Sequence, residues 1–324
     1  MPSMRLNKLC PAVMLLLFMP CLARGDDWKQ RLLDEGPRAW ATLDEMSRHL
    51  RGSFVYKQSY QGVKKPSTEE QRKFAINGDR IKVETTVRGK DQVDATNPEY
   101  MFSLSRKVGA ASFAIDYVEP VGGHDDLVHS AIDKMQTSIF DDIRAAWYLN
   151  ARSLSDWLTR PGFQIDGVTP LVQGDETLVE VKFTYKDPGP DRKQDLAGGR
   201  FVVDPNHHWT IHEFQTGMWW GVVKASLRYK GDLDGFPQVA EKTTLLAGND
   251  KSSLKRELQF KKLARETVPE AEFQMTSFGL PEPKFAPAPT NMTPYWFLLV
   301  AVVLAVAAIL LGRQFRRAAP APGF

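Results

Sequence analysis

Leu178-Val179-Glu180-Val181-Lys182-Phe183-Thr184-Tyr185 alternates apolar and polar side chains. Successive side chains on a strand point to opposite faces, so Val179, Val181, Phe183 and Tyr185 share one face and Glu180, Lys182 and Thr184 the other. One face is packed and the other solvated, the pattern of an antiparallel sheet. Strand-like runs continue downstream at Arg200–Val203, Trp209–Phe214, Trp219–Tyr229, Pro237–Leu246, Leu254–Leu263 and Glu272–Phe278, and one precedes at Phe163–Ile165. Turn formers such as Asp204-Pro205-Asn206 and Gly248-Asn249-Asp250 separate them. Farther upstream lie Phe54–Tyr56, then Lys73–Ile76 and Arg80–Glu84 joined by Asn77-Gly78-Asp79, a strong hairpin signal. Tyr100, Phe102 and Leu104 alternate, as do Phe113, Ile115 and Tyr117. Many strands without a helix between each pair predict one large antiparallel sheet.

Helical spacing interrupts this pattern twice. Pro37 suits a first helical turn, and Trp40, Leu43, Met46 or Ser47, and Leu50 follow at helical intervals until Gly52. Val128, Ile132, Met135, Ile139, Ile143 and Trp147 trace one apolar stripe, which predicts a helix over 126–149. Ser153 and Asp156 have capping-box spacing ahead of a short helix. The expected fold class is α+β: a large curved antiparallel sheet, or half-barrel, wrapped around one or two helices, plus a C-terminal transmembrane helix.

The ends of the chain read differently from its middle. Arg5 and Lys8 precede the apolar run 10–19, and Cys21-Leu22-Ala23 offers small residues for cleavage, so residues 1–23 read as a secretory signal peptide. An uncleaved signal anchor is the alternative. Tyr295 to Gly312 runs 18 residues without a charge, close to the roughly 20 a membrane-spanning helix needs. Tyr295 and Trp296 mark one boundary, and Arg313, Arg316 and Arg317 the other, which assigns 313–324 to the cytoplasmic side. Residues 279–294 carry five prolines and read as an extended stalk. The resulting expectation is a folded domain at 26–278 outside the cytoplasmic (inner) membrane, with the bilayer as partner of 295–312.

Charge follows the same division. All 39 acidic residues lie between positions 26 and 293, whereas six of the 42 Lys and Arg sit in the terminal segments. The middle therefore carries 36 basic residues against 39 acidic ones, and a domain of that sign is a poor match for nucleic acid. Both cysteines, Cys10 and Cys21, fall in the leader, leaving the domain without disulfide, thiol nucleophile or cysteine-held metal.

No nucleophile elbow, phosphate loop or His-Glu-X-X-His occurs, so no catalytic residue, metal site or cofactor is assigned. His208 and His212 on one strand face stand about 13 Å apart, too far to share an ion; they and His207 read as turn and surface residues. His124, Asp125, Asp126 and His129 crowd the start of the long helix, where the aspartates suit free backbone amides. Glu69-Glu70 and Asp141-Asp142 read as solvated pairs. In Met218-Trp219-Trp220, read as the opening of a strand, the two indoles would face opposite sides.

Several pieces together resemble a known family. They are Gly199-Arg-Phe-Val-Val-Asp-Pro-Asn-His-His-Trp-Thr-Ile211 (a strand, a tight turn and a return strand), the hairpin at Asp234-Gly-Phe-Pro237, the early Phe54-Val-Tyr56 strand, and Asn97-Pro-Glu-Tyr-Met-Phe102. With an N-terminal helix and a helical insertion in the concavity, residues 37–278 resemble the LolA/LolB family of periplasmic lipoprotein carriers, with its LppX-type lipid binders and RseB-like sensor domains. The resemblance implies an apolar cavity for acyl chains between sheet and helices, here lined by Met135, Ile139, Ile143, Trp147, Phe183 and Trp219. A tether departs from a soluble shuttle, so a stationary binder of a lipid or lipid-modified partner is the expectation. A non-enzymatic envelope sensor or interaction module with a filled core is the alternative.

Overall fold

The computed structural model describes residues 25–121, 141–173, 176–186, 196–249, 252–285 and 300–305. The chain divides into two units, 1–282 and 283–324. In the second unit residues 300–305 are helical. The remainder of the expected 295–312 span, like the leader 1–23, lies outside the described residues. Among the described residues no helix is long and apolar enough to cross a membrane.

The first unit is built on one open antiparallel sheet of 13 strands. Helix α1 (Gly25–Met46) leads into strand β1 (His49–Gln61). Strands β2 (Thr68–Asn77), β3 (Arg80–Val87), β4 (Lys90–Thr96), β5 (Tyr100–Lys107) and β6 (Ala114–Pro120) pair in sequence order on one side of β1. Two short strands, β7 (Tyr148–Leu149) and β8 (Arg152–Ser153), form a separate ribbon, and α2 (Leu154–Thr159) follows. Strands β9 (Phe163–Gln173), β10 (Glu176–Tyr185), β11 (Gly198–Asp204), β12 (Thr210–Met218), β13 (Gly221–Leu233), β14 (Phe236–Gly248) and β15 (Ser253–Arg265) complete the sheet, and β15 closes onto β1. The order is β6-β5-β4-β3-β2-β1-β15-β14-β13-β12-β11-β10-β9, with β6 and β9 as its edge strands among the described residues.

The alternation at 178–185 behaves as read: Val179, Val181, Phe183 and Tyr185 are buried, while Lys182 and Thr184 are exposed. Their face, the covered face of the sheet, packs against α1 and residues 143–157 in one core. Leu32, Gly36, Trp40 and Leu43 form the buried stripe of α1, and Ser47 just past its end continues it, at the spacing of four, four, three and four residues that a 3.6-residue period gives. A side chain at Gly36 would meet the Trp40 ring at 2.9 Å, so that glycine is what admits the indole. The Trp40 indole N–H donates to the Trp209 carbonyl at 3.0 Å, and Trp147 donates to Asp44 at 2.8 Å, so both large rings enter the core with their polar atom satisfied. At the α2 start, the Ser153 hydroxyl accepts from the Asp156 amide at 3.0 Å, half of the expected capping box.

Several sequence expectations change. Pro37 lies inside α1 rather than in its first turn, and Leu50 and Gly52 belong to β1. Leu50 suits both periods, continuing the helical stripe of Trp40 and Leu43 and opening the strand alternation of Phe54 and Tyr56. The helix expected over 126–149 lies mostly outside the described residues; its described end is helical only at 141–143, and Trp147 sits in the turns that follow. Asn150 and Ala151 adopt left-handed conformations (φ 52° and 63°), which a helix cannot continue through. Glu272–Phe278 forms two 3-10 turns instead of a strand, and buries Phe273 and Met275 against the opposite face of the sheet.

That C-terminal segment fastens the outer face of β1–β5. Asn77 donates to the Val268 carbonyl at 2.6 Å and Asn97 to the Phe273 carbonyl at 3.1 Å. Glu272 takes both Arg51 (2.7 Å) and Lys82 (3.2 Å).

Candidate binding site on the covered face

The pairing registers place side chains of the covered face in rows that run across the strands. Tyr56, Leu258, Lys242 and Leu227 form one row over β1, β15, β14 and β13, and all four are buried. Two residues farther along each strand, roughly 6.6 Å, comes Gln58–Arg256–Thr244–Ala225, extended on β2 by Thr68. Two residues beyond that comes Tyr60–Leu254–Leu246–Val223, and every member is half-buried. The face therefore changes along the strands from sealed core, through a polar row, to an apolar strip in partial contact with solvent.

Charged groups mark the seam. The Lys242 ammonium, on a side chain 4% exposed, donates to the Asp141 carbonyl at 2.8 Å and lies 3.2 Å from an Asp142 carboxylate oxygen. Two neighbouring carboxylates hold that ammonium charged, and burial pushes the Asp142 carboxyl up. Arg72 pairs with Glu70 at 2.6 Å and lies 4.5 Å from the centre of the Tyr56 ring. The reading of Asp141-Asp142 and Glu69-Glu70 as solvated pairs is corrected here: Asp142 and Glu70 are 10% and 18% exposed, and each neutralises a cation.

The described residues expected to line a cavity do not line one together. Met135 and Ile139 lie outside the described residues. Ile143, Trp147 and Phe183 are core, with 4%, 0% and 1% of their surface accessible, so no void the size of a water touches them appreciably. Phe183 stacks on Phe163 at 5.0 Å between ring centres. Trp219 is 55% exposed. It and Trp220 are the two-residue turn between β12 and β13, since Met218 pairs with Gly221; the two indoles are not neighbours along a strand. The half-buried row was missed because a row is a property of register across four strands and not of any one run of sequence.

Two cavities lie elsewhere. One of about 330 Å³ is lined by Asp204, His207, His212 and Tyr229 among others. There Asp204 shares a 2.5 Å hydrogen bond with His207 Nδ1 and stands 3.9 Å from His212 Nε2. His208 adopts a left-handed conformation (φ 57°) in the same turn. Among the described residues no group of three or more His, Cys, Asp or Glu is arranged to hold a metal. His124, Asp125, Asp126 and His129 lie outside the described residues. The other cavity, about 250 Å³, opens on the outer face between Arg51, Lys73, Lys82 and Lys262.

No family model matches the sequence, and no curated protein matches it. Among solved structures, the chain is similar to a DUF1329 family protein from Desulfovibrio piger, at 10% identity over 75% of this chain and 97% of that one, with a TM-score of 0.42. It is also similar to a LolA superfamily protein from Nitrosomonas europaea (7% identity, 75% and 99% coverage, TM-score 0.39) and to lipoprotein LppX from Mycobacterium tuberculosis (11%, 72% and 98%, 0.21).

Proposed function

We propose that residues 26–278 form a non-enzymatic binding domain for an amphiphilic, lipid-like ligand, held at the outer side of the cytoplasmic membrane by the stalk 279–294 and the span 295–312. The observation that carries this is the half-buried row Tyr60–Leu254–Leu246–Val223, which continues the core face yet stays open to solvent. A fully packed core would have sealed it, because each buried apolar Å² contributes about 25 cal/mol. An acyl chain laid along the row would complete the burial. Binding sites are largely apolar with a few convergent polar groups, and the adjoining polar row supplies those. Ile143, Trp147 and Phe183 belong to the packed core instead, where ligand would reach only if that core parted.

The test is lipid extraction from the full-length chain purified from its own host in an uncharged detergent, followed by mass spectrometry. A bound amphiphile retained by the wild type and lost from Leu254→Glu is the expected result. Wild-type protein that carries none, and binds no fluorescent fatty acid, would sink the reading. The 55% exposure of Trp219 on a hairpin turn favours a second reading, an interaction module working through its surface. Under that reading Trp219→Ser abolishes capture of a partner while Leu254→Glu leaves it intact.

A further inference from the structure

Among the described residues, Arg72, Lys242 and Arg256 stand on the covered face of β2, β14 and β15, and two of them are answered. Arg72 has Glu70, and Lys242 has Asp141 and Asp142. Arg256, between Gln58 and Thr244 in the polar row, has no acidic partner among the described residues. Its Nε is buried and has no hydrogen-bond partner. The Thr68 hydroxyl, in the same row two strands away, is a second buried polar atom without a partner. Neighbouring strands lie about 4.8 Å apart, so the two positions are separated by roughly 10 Å, with Gln58 between them.

A polar atom withdrawn from water without a partner is costly. Two such atoms in one row, next to an apolar strip, are explained together by a partner that arrives from outside. We infer that Thr68, Gln58, Arg256 and Thr244 form a head-group subsite for an anionic amphiphile, which rests on the amphiphile reading above. A carboxylate or phosphate oxygen would accept from Arg256, whose planar fork suits both groups. The tail would lie along Leu254, Leu246 and Val223. Thr68 and Gln58 can each donate to a second oxygen of the head or to a water bridging to it. A neutral head leaves the guanidinium unanswered, so the site selects for charge.

The experiment measures binding of palmitate, hexadecyl phosphate and 1-hexadecanol to the full-length chain in uncharged detergent, with inorganic phosphate as a tail-free probe. The wild type should bind both anionic amphiphiles at least about 30-fold more tightly than the alcohol, the loss typical when one partner of a buried charge pair is removed. Arg256→Leu should erase that preference, bringing both anionic probes down to the affinity of the alcohol, and melt no lower than ligand-free wild type, because it removes a buried Nε without a partner. Arg256→Lys should retain part of the preference. Should Arg256→Leu fail to fold, Thr68→Val serves, with a smaller weakening confined to the anionic probes. Equal binding of palmitate and hexadecanol by the wild type would overturn the subsite while leaving the amphiphile reading standing. Binding of none of the three amphiphiles would remove that reading itself. Phosphate alone binding as tightly as hexadecyl phosphate would overturn the assignment of the tail.

Discussion

The covered face of the sheet has two regimes a few residues apart on the same strands. Toward the β1 start, Leu50, Phe54 and Tyr56 meet Phe74, Ile76, Leu258 and Phe260 in a sealed core, and the Trp40, Trp147 and Trp157 indoles each donate to a named acceptor. Toward the β1 end, Tyr60, Leu254, Leu246 and Val223 stay half-buried, and Arg256 Nε and Thr68 Oγ1 lack partners. Strands pair through both, with register shifts at Ser53/Phe54 and Arg228/Tyr229 toward the sealed end, so pairing does not explain why the strip stays open. Side-chain satisfaction does. A region that completes its own packing and hydrogen bonds contributes stability, whereas one that leaves both incomplete keeps free energy available for a ligand.

Lys242 stands at the boundary, and removing it should have the largest effect. Lys242→Met leaves Asp142 as a buried carboxyl without its cation and releases the Asp141 carbonyl, so a loss of about 3–5 kcal/mol is expected in urea unfolding. A loss below about 1 kcal/mol would show that residues 141–142 are not fastened to the sheet there. Phe183→Ala should follow, also costing about 3–5 kcal/mol, because the ring is 1% exposed between Phe163 and Phe201. Leu246→Ala, in the open strip, should cost only about 1 kcal/mol while weakening amphiphile binding. If Leu246→Ala destabilises as much as Phe183→Ala, the strip is ordinary core and the contrast between the regimes fails.

How much of this was legible beforehand follows the same divide. The alternation at 178–185 and the Asn77-Gly78-Asp79 hairpin decide the sheet from local signals, and both stand in the structure. The Asp234-Gly235 turn does too, with φ of 52° and 79°. Trp219-Trp220 misled because aromatics favour strands, yet Gly217 and Gly221 flank it. At Gly221 (φ 156°) a side chain would lie 2.0 Å from the Ala247 carbonyl oxygen, so this position requires glycine at the turn. The sealed core was partly readable, since Trp147 and Phe183 lie on apolar periods of the sequence, although both were expected to line a cavity and are packed instead. The open strip was not. Arg256, Thr68 and Leu246 become neighbours only through the pairing of β2, β1, β15 and β14, and nothing in their own segments sets them apart.

The smallest predicted effect tests whether the sealed regime is also held from behind. Arg51 and Lys82 lie on the outer face of β1 and β3, back to back with the sealed core, and both reach Glu272. Their hydrogen bonds hold the Glu272 carboxyl below its usual range, the Arg51 contact most strongly. A carboxyl whose folded value is depressed contributes stability that is fully present above its unfolded value, near pH 4.3, and lost as pH falls through the folded value. Acidification from pH 5 toward pH 3 should therefore loosen the 266–280 segment and lower the amide protection factors, exchange corrected for its intrinsic pH dependence, at 50–54 and 74–76. The open strip at 58–61 and 244–246, which Glu272 does not touch, should respond much less. Glu272→Gln should reproduce that loosening at pH 7 and remove most of the pH dependence at those amides. Uniform loss of protection along all of β1 in the wild type would mean that the two regimes open as one unit, and that the segment behind the sheet holds neither of them selectively.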